Sequence, residues 1–132
     1  MQIHQSAEDY LETILMLNQR MGRVRSIDVV NELGYTKASV SIAMKKLREN
    51  GYIAVDGEGN LTLLEPGREI AERIYSRHRL LTHFFVQLGV DEAVAAEDAC
   101  KAEHILSEQT LEKIREYALL HDAEDSVKPQ GE

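Results

Sequence analysis

The sequence predicts a mainly α-helical protein with one small β-hairpin, in which an N-terminal winged helix-turn-helix domain is joined by a long helix to an α-helical dimerisation domain. Three observations predict this fold class. Two short helical segments meet at a turn containing Gly34, two β-prone runs then flank a glycine-containing tip, and a long helical segment begins at Pro66. The expected boundaries are 1–65 for the winged domain, 66–89 for the linker helix, 90–121 for the helical domain and 122–132 for a flexible tail.

The first two helices are predicted from their caps and from apolar spacing. Ser6 can cap a helix that carries Asp9 in its third position and ends at Gly22, with Glu12 on the side opposite its apolar residues. Ser26 then caps a short helix that Gly34 closes.

Thr36 starts the third helix, which is expected to run from Lys37 to Asn50. Its inward stripe consists of Val40, Ala43, Met44 and Leu47. Small and polar residues occupy the outward side, so this is the helix that could enter a DNA groove.

The remaining elements follow in order. The runs 52–55 and 61–64 predict a hairpin whose tip, residues 56–60, carries Asp56 and Glu58 but no basic residue, so contacts from the tip to DNA would be weak. A helix from Pro66 to about Leu88 comes next. It is followed by one that Asp91 caps and that reaches about Leu106, and by a last one that Ser107 caps and that reaches about Leu120.

Charge is distributed unevenly along the 132 residues, whose formal net charge is −8. Residues 20–50 contain seven Lys and Arg against three Asp and Glu, whereas residues 91–132 contain four against twelve. This asymmetry favours one segment that faces phosphates and another that holds cations or maintains solubility. With no apolar run long enough for a membrane span and only one cysteine, we expect a cytoplasmic protein that lacks disulfides.

Candidate DNA contacts lie on the third helix, where lysines can reach phosphates, small residues permit close approach and Ile42 could touch a thymine methyl. The candidates are Thr36, Lys37, Ala38, Ser39, Ser41, Ile42, Lys45 and Lys46. The alternative is a helical hairpin with a solvated basic face.

Candidate metal ligands form helical-spacing clusters of carboxylate, imidazole and thiol groups. They are Asp9 with Glu12, then His78, and then Cys100 with Glu103 and His104 at i, i+3 and i+4. This donor set suits Fe(II), Mn(II), Co(II) or Zn(II) better than calcium. Each cluster alone also has a structural explanation: Asp9 as a partner in a helix cap, His78 as a polar histidine at the surface and Cys100 as a small buried residue.

Two rival functions remain open at this point. One is a winged-helix regulator that needs no metal and in which Cys100 packs or senses oxidants. The other is a metallohydrolase, which the absence of an H-E-x-x-H motif and the basic helix-turn-helix both disfavour.

Three separated motifs resemble the diphtheria toxin repressor family of metal-activated regulators, and the absence of a third, barrel-like domain resembles its short manganese transport repressor branch. The motifs are Ser6–Ile14, Tyr75–Leu81 and Asp98–Ser107. The resemblance implies a repressor that binds operator DNA as a homodimer when Mn(II) or Fe(II) is bound, with no organic cofactor and no membrane partner. It also implies a metal site formed by Asp9, Glu12, His78, Glu103 and His104.

Two positions depart from a single branch of the family. Cys100 resembles the iron-responsive branch, since the manganese branch commonly has glutamate there, whereas Asp9 matches the manganese branch. Thr82 and Ala96 stand where the iron branch has ligands of an ancillary site, so that second site is expected to be incomplete.

Overall fold

A computed structural model describes residues 5–127 of the chain, with side chains described for residues 5–122. The elements are six helices and two strands: α1 (Gln5–Met21), α2 (Ser26–Leu33), α3 (Lys37–Glu49), β1 (Ile53–Val55), β2 (Leu61–Leu63), α4 (Glu65–Gln87), α5 (Glu92–Ala102) and α6 (Glu108–Val127). This confirms the mainly helical class with one hairpin. The chain forms two compact units, residues 1–74 and residues 75–132, so the division falls within α4.

The first unit contains the helix-turn-helix and its wing. Gly34 adopts a φ of 72° at the end of α2, the left-handed conformation that glycine adopts at low cost, and its N–H donates to the Val30 carbonyl. The Thr36 hydroxyl then accepts a hydrogen bond from the Ser39 N–H at 3.1 Å, which caps α3. The core of this unit is made of fully buried apolar side chains, including Leu11, Ile14, Val24, Val29, Val40, Leu47 and Ile53.

The wing is an antiparallel pair in which Ile53 faces Leu63 and Val55 faces Leu61. A third segment adds to it, because the Leu61 N–H donates to the Val24 carbonyl at 2.7 Å and Arg25 forms an isolated bridge with Asn60. The chain before α2 therefore runs along the outer side of β2.

The second unit packs the C-terminal part of α4 with α5 and α6. Its core consists of Leu81, Ala99 and Leu111, one from each helix. Asp91 caps α5 by accepting from the Ala93 N–H at 3.2 Å, and Ser107 caps α6 by accepting from the Thr110 N–H at 3.2 Å. Both caps agree with the prediction.

Four helix limits differ from the sequence prediction. Ser6 lies inside α1 rather than capping it, and α2 begins at Ser26 itself, with Arg25 as its N-cap and Asp28 accepting the Arg25 N–H at 2.9 Å. Helix α5 ends at Ala102, four residues before the expected Leu106, and α6 continues to Val127. No glycine or proline follows residue 120 until Pro129, so no strong helix breaker stops α6 before that point. Residues 128–132 of the predicted tail lie outside the described part.

Helices within the described range 5–127 are too short or too polar to span a bilayer.

Candidate metal centre and nucleic-acid interface

The face of α3 that carries the candidate DNA contacts is exposed along its length. Val40, Met44 and Leu47 are buried, as their spacing predicts, and Ile42 on the other side is 58% exposed. All eight residues predicted to contact DNA are exposed: Thr36, Lys37, Ala38, Ser39, Ser41, Ile42, Lys45 and Lys46. The helix thus presents a small, basic surface interrupted by one apolar side chain.

The tip of the wing is ordered by Asp56. Its Oδ1 accepts from the N–H groups of Glu58 and Asn60, both at 2.9 Å, and its Oδ2 accepts from the Asn60 side-chain amide at 3.0 Å. The bonds from the Asn60 backbone and side chain lower the pKa of the Asp56 carboxyl below its ordinary value. Asp56 is therefore ionised and shapes the tip at neutral pH.

Two arginines that the sequence interpretation missed lie beside this tip. The Arg25 guanidinium donates to the Glu58 carbonyl, at 3.0 Å from Nε, and the Arg23 guanidinium lies 3.9 Å from the Glu58 carboxylate. The acidic tip is thus partly balanced by arginines that lie more than 30 residues away in sequence. These arginines reach the tip only because residues 24 and 25 form a strand-like contact with the wing. No spacing rule would have predicted that proximity.

Glu103 is the focus of the second unit's candidate ligands. Its side chain is completely buried, its Oε2 lies 3.0 Å from His78 Nδ1, and its Oε1 lies 3.4 Å from His104 Nε2. No hydrogen bond within the described range reaches Oε1. One buried carboxylate therefore stands between two imidazoles.

Cys100 does not share the environment of Glu103. The sequence interpretation placed Cys100, Glu103 and His104 on one polar face of a helix, but Cys100 is exposed and Glu103 is fully buried. Glu103 is the C-cap of α5 and still has a helical conformation, with its N–H donating to the Ala99 carbonyl at 3.0 Å. Its burial therefore depends on what packs against it and not on a change in helical spacing.

In the first unit, the two predicted ligands of α1 also differ in exposure. Asp9 is half-buried, whereas Glu12 is only 5% exposed. The predicted placement of Glu12 on the side of α1 opposite its apolar residues did not indicate this burial. Burying a carboxylate costs several kcal/mol unless it is paired or bound to a metal, so the position of Glu12 needs a chemical reason beyond the helix itself.

Arg77 is a second residue that sequence reasoning missed. It directly precedes His78, and its Nη1 donates to the Glu103 carbonyl at 3.2 Å. Its Nη2 pairs with the Glu108 carboxylate. The position of Arg77 next to His78 was a signal of a role near the candidate ligands. The sequence could not show, however, that its guanidinium reaches a residue 26 positions away.

Comparison with known protein families gives two matches that divide the chain at its wing. Residues 2–61 match the family model described as "Iron dependent repressor, N-terminal DNA binding domain". Residues 64–124 match the model described as "Iron dependent repressor, metal binding and dimerisation domain".

Individual relatives agree with these matches. An uncharacterized HTH-type transcriptional regulator of Methanocaldococcus jannaschii is 36% identical over 84% of this chain and 90% of its own length. The HTH-type transcriptional regulator MntR of Bacillus subtilis is 32% identical over 93% of this chain and 87% of its own length.

Among solved structures, a manganese-dependent transcriptional repressor in complex with manganese superposes with a TM-score of 0.78 and 28% identity. The match covers 85% of this chain and 52% of that one, so this chain spans about half the length of the solved structure.

Proposed function

The chain belongs to the iron dependent repressor family, as its resemblance to the diphtheria toxin repressor predicts, and on this premise we propose that it is a transcriptional repressor that binds operator DNA as a homodimer when Mn(II) or Fe(II) is bound. We further propose that it acts in the cytoplasm and catalyses no reaction. The relative named MntR is described as an HTH-type transcriptional regulator, which supports a role in transcription.

The observation that carries the proposal is the buried Glu103 carboxylate between two imidazoles. A buried carboxylate is stabilised by a cation, and an oxygen donor beside two nitrogen donors suits Mn(II), Fe(II), Co(II) or Zn(II). His78 and His104 each approach a different oxygen of Glu103. The residues present therefore fit a divalent transition-metal ion.

We propose that the full ligand set draws on both units. It contains Asp9 and Glu12 from α1, then His78, Cys100, Glu103 and His104. A thiolate from Cys100 would favour softer ions than Mn(II), so its participation bears on metal choice. The bound ion would supply positive charge to the carboxylates and a fixed geometry to the donors.

Ligands from both units would let the ion limit the freedom between them. A dimer must present its two α3 helices to half-sites one or more helical turns apart, each turn being roughly 34 Å. Fixing the units in advance lowers the ordering cost of DNA binding. Metal and operator would then strengthen each other's binding by the same factor.

The second unit also carries the surface that we assign to the homodimer. Several of its large apolar side chains are exposed, notably Ile105 at 77%, Leu120 at 65% and Leu119 at 63%. A dimer formed through this unit would remove apolar surface of this kind from water, which is favourable. The family model for this region is described as a dimerisation domain, which supports the same assignment.

For DNA contact we propose the exposed face of α3. Lys37, Lys45 and Lys46 would bind phosphates, and the Ala38, Ser41 and Ile42 surface would approach base edges. Thr36 and Ser39 would contribute hydroxyl groups at the start of the helix.

The test is operator binding with and without metal. A duplex selected by the purified protein from a random-sequence library is titrated in Mn(II) and, separately, in excess chelator, with fluorescence anisotropy as the readout. We expect at least a tenfold loss of affinity in chelator, and a matching loss for His104→Ala in Mn(II). Glu97→Gln, which removes an exposed carboxylate from α5, is the control and should behave like the wild type. Equal affinity with and without metal would reject the switch and favour the metal-independent rival.

A further inference from the structure

We propose that Arg77 is a positioning residue for the metal centre, which holds Glu103 and His104 at the distances from His78 that metal binding requires. This inference rests on the proposed function, but it assigns a role to a residue that is not itself a ligand. All of the residues involved lie in the second unit.

The Arg77 side chain is only 15% exposed and has two partners. Its Nη1 donates to the main-chain carbonyl of Glu103 at 3.2 Å, and its Nη2 pairs with the carboxylate of Glu108. Glu103 is the C-cap of α5 and Glu108 is the first residue of α6. One guanidinium therefore fixes both ends of the link between these two helices.

The first contact provides a hydrogen-bond donor for a main-chain carbonyl. The last carbonyls of a helix have no partner within it, and a buried carbonyl without a partner is costly. Arg77 supplies that partner from α4, immediately next to His78. The end of α5 is thereby attached to the helix segment that carries one of the candidate ligands.

The consequence is a constraint on the carboxylate of Glu103. Its two oxygens lie 3.0 Å from His78 Nδ1 and 3.4 Å from His104 Nε2, and both distances depend on where the backbone of residues 103 and 104 is held. Metal sites tolerate displacements of only about 0.5 Å in the positions of their ligand atoms. Loss of groups that support ligands typically lowers metal affinity 10–100-fold.

Arginine suits this role better than lysine. Its planar fork can donate to two acceptors at once with little loss of side-chain freedom, whereas an ammonium group is a single flexible point charge. Arg77→Lys would keep the charge and could keep only one of the two contacts. It should therefore restore part of the function lost in Arg77→Met.

Arg79 provides the matched control. It lies on the same helix and carries the same charge, but it is exposed and its guanidinium lies 5.8 Å from the ring centroid of Tyr75. Arg79→Met changes the net charge as Arg77→Met does and leaves the α5–α6 link intact. Any difference between these two variants reports the contacts of Arg77 rather than a loss of positive charge.

The experiment measures the Mn(II) dissociation constant of the full chain by the electron paramagnetic resonance signal of unbound Mn(II). We expect the constant to rise 10–100-fold in Arg77→Met, to take an intermediate value in Arg77→Lys, and to change less than twofold in Arg79→Met. The visible absorption spectrum of each variant saturated with Co(II) should change in band position or intensity only for the Arg77 variants, because it reports ligand geometry.

The outcomes separate the inference from the proposed function. Wild-type protein that binds neither Mn(II) nor Co(II) would refute the proposed function and this inference with it. If the wild type binds and Arg77→Met matches Arg79→Met in affinity and spectrum, only the role of Arg77 is refuted, even if the metal-free variant unfolds more easily. Should Arg77→Met fail to fold, Glu108→Gln and Arg77→Lys decide the question, since an unchanged Mn(II) affinity and Co(II) spectrum in both would overturn the role.

Discussion

Replacing Glu103 by glutamine should stabilise the metal-free protein and at the same time weaken its binding of metal. Glutamine has nearly the same shape as glutamate, so the substitution leaves no cavity. Its amide oxygen can accept from His78 Nδ1, where the carboxylate oxygen now lies at 3.0 Å. Its amide nitrogen can donate to the imidazole on the other side, where the present separation is 3.4 Å.

The magnitudes follow from the burial of Glu103. The side chain has no exposure to water, and exchanging a buried ionic group for a well-packed neutral one is neutral to stabilising by about 1–4 kcal/mol. We take the low end, about 1 kcal/mol, because two imidazoles remain beside the amide. For a chain of this size that raises Tm by roughly 4 °C. Loss of the anionic ligand should weaken Mn(II) binding at least 100-fold, or about 2.8 kcal/mol.

The assay is thermal unfolding of wild type, Glu103→Gln and the exposed control Glu97→Gln, each in chelator and in saturating Mn(II). Protein concentration and pH are the same in all samples. The Glu103→Gln transition should lie above that of the wild type in chelator and below it in Mn(II). A Tm that falls in both conditions would show that the carboxylate is a structural hydrogen-bond acceptor, and would refute the reasoning.

Three further predictions concern the first unit. A Cβ on Gly67 would meet the Tyr52 carbonyl well inside van der Waals contact. In a urea titration, Gly67→Ala should therefore lower the free energy of unfolding by more than about 2 kcal/mol, despite the better helix propensity of alanine. The control is Gly57→Ala, where a Cβ meets nothing within 4 Å, and its free energy of unfolding should stay within about 0.5 kcal/mol of the wild type. Lys45→Gln should weaken DNA binding about equally for all sequences and reduce the slope of log affinity against log salt by about 1, and an unchanged slope would remove Lys45 from the phosphate contacts. Because the pKa of Asp56 in the folded protein lies below the ordinary value of 3.8, the hydrogen bonds at the wing tip should persist at neutral pH and be lost only as pH falls through that lowered value. A carboxyl titration followed by NMR that finds a pKa of 3.8 or above would contradict this.

Local sequence signals predicted most of the fold because they act over a few residues. Gly34 ends α2, Thr36 caps α3 and Asp91 caps α5, and each needs only its near neighbours to do so. The end of α5 escaped prediction because it depends on tertiary structure. The apolar period continues to Leu106, but the helix stops at Ala102, where Arg77 from another helix supplies a partner for the next carbonyl.

The candidate site was predictable in its residue types but not in its geometry. Spacing identified Glu103 and His104 as donors, and the structure brings them together with His78. Spacing also placed Cys100 and Glu103 together on one polar face and Glu12 opposite an apolar one, but only Cys100 is exposed, whereas Glu103 and Glu12 are buried. A helical wheel reports the direction of a side chain from its own helix, whereas burial depends on what packs against that side.

In the proposed switch, metal and operator duplex stabilise the same state of the protein. Mn(II) affinity of the full chain is therefore measured with and without the selected duplex, and duplex affinity with and without Mn(II). Both ratios should exceed ten and agree with each other, as linkage requires. A Mn(II) affinity that is the same in the presence and absence of the duplex would contradict the proposed switch.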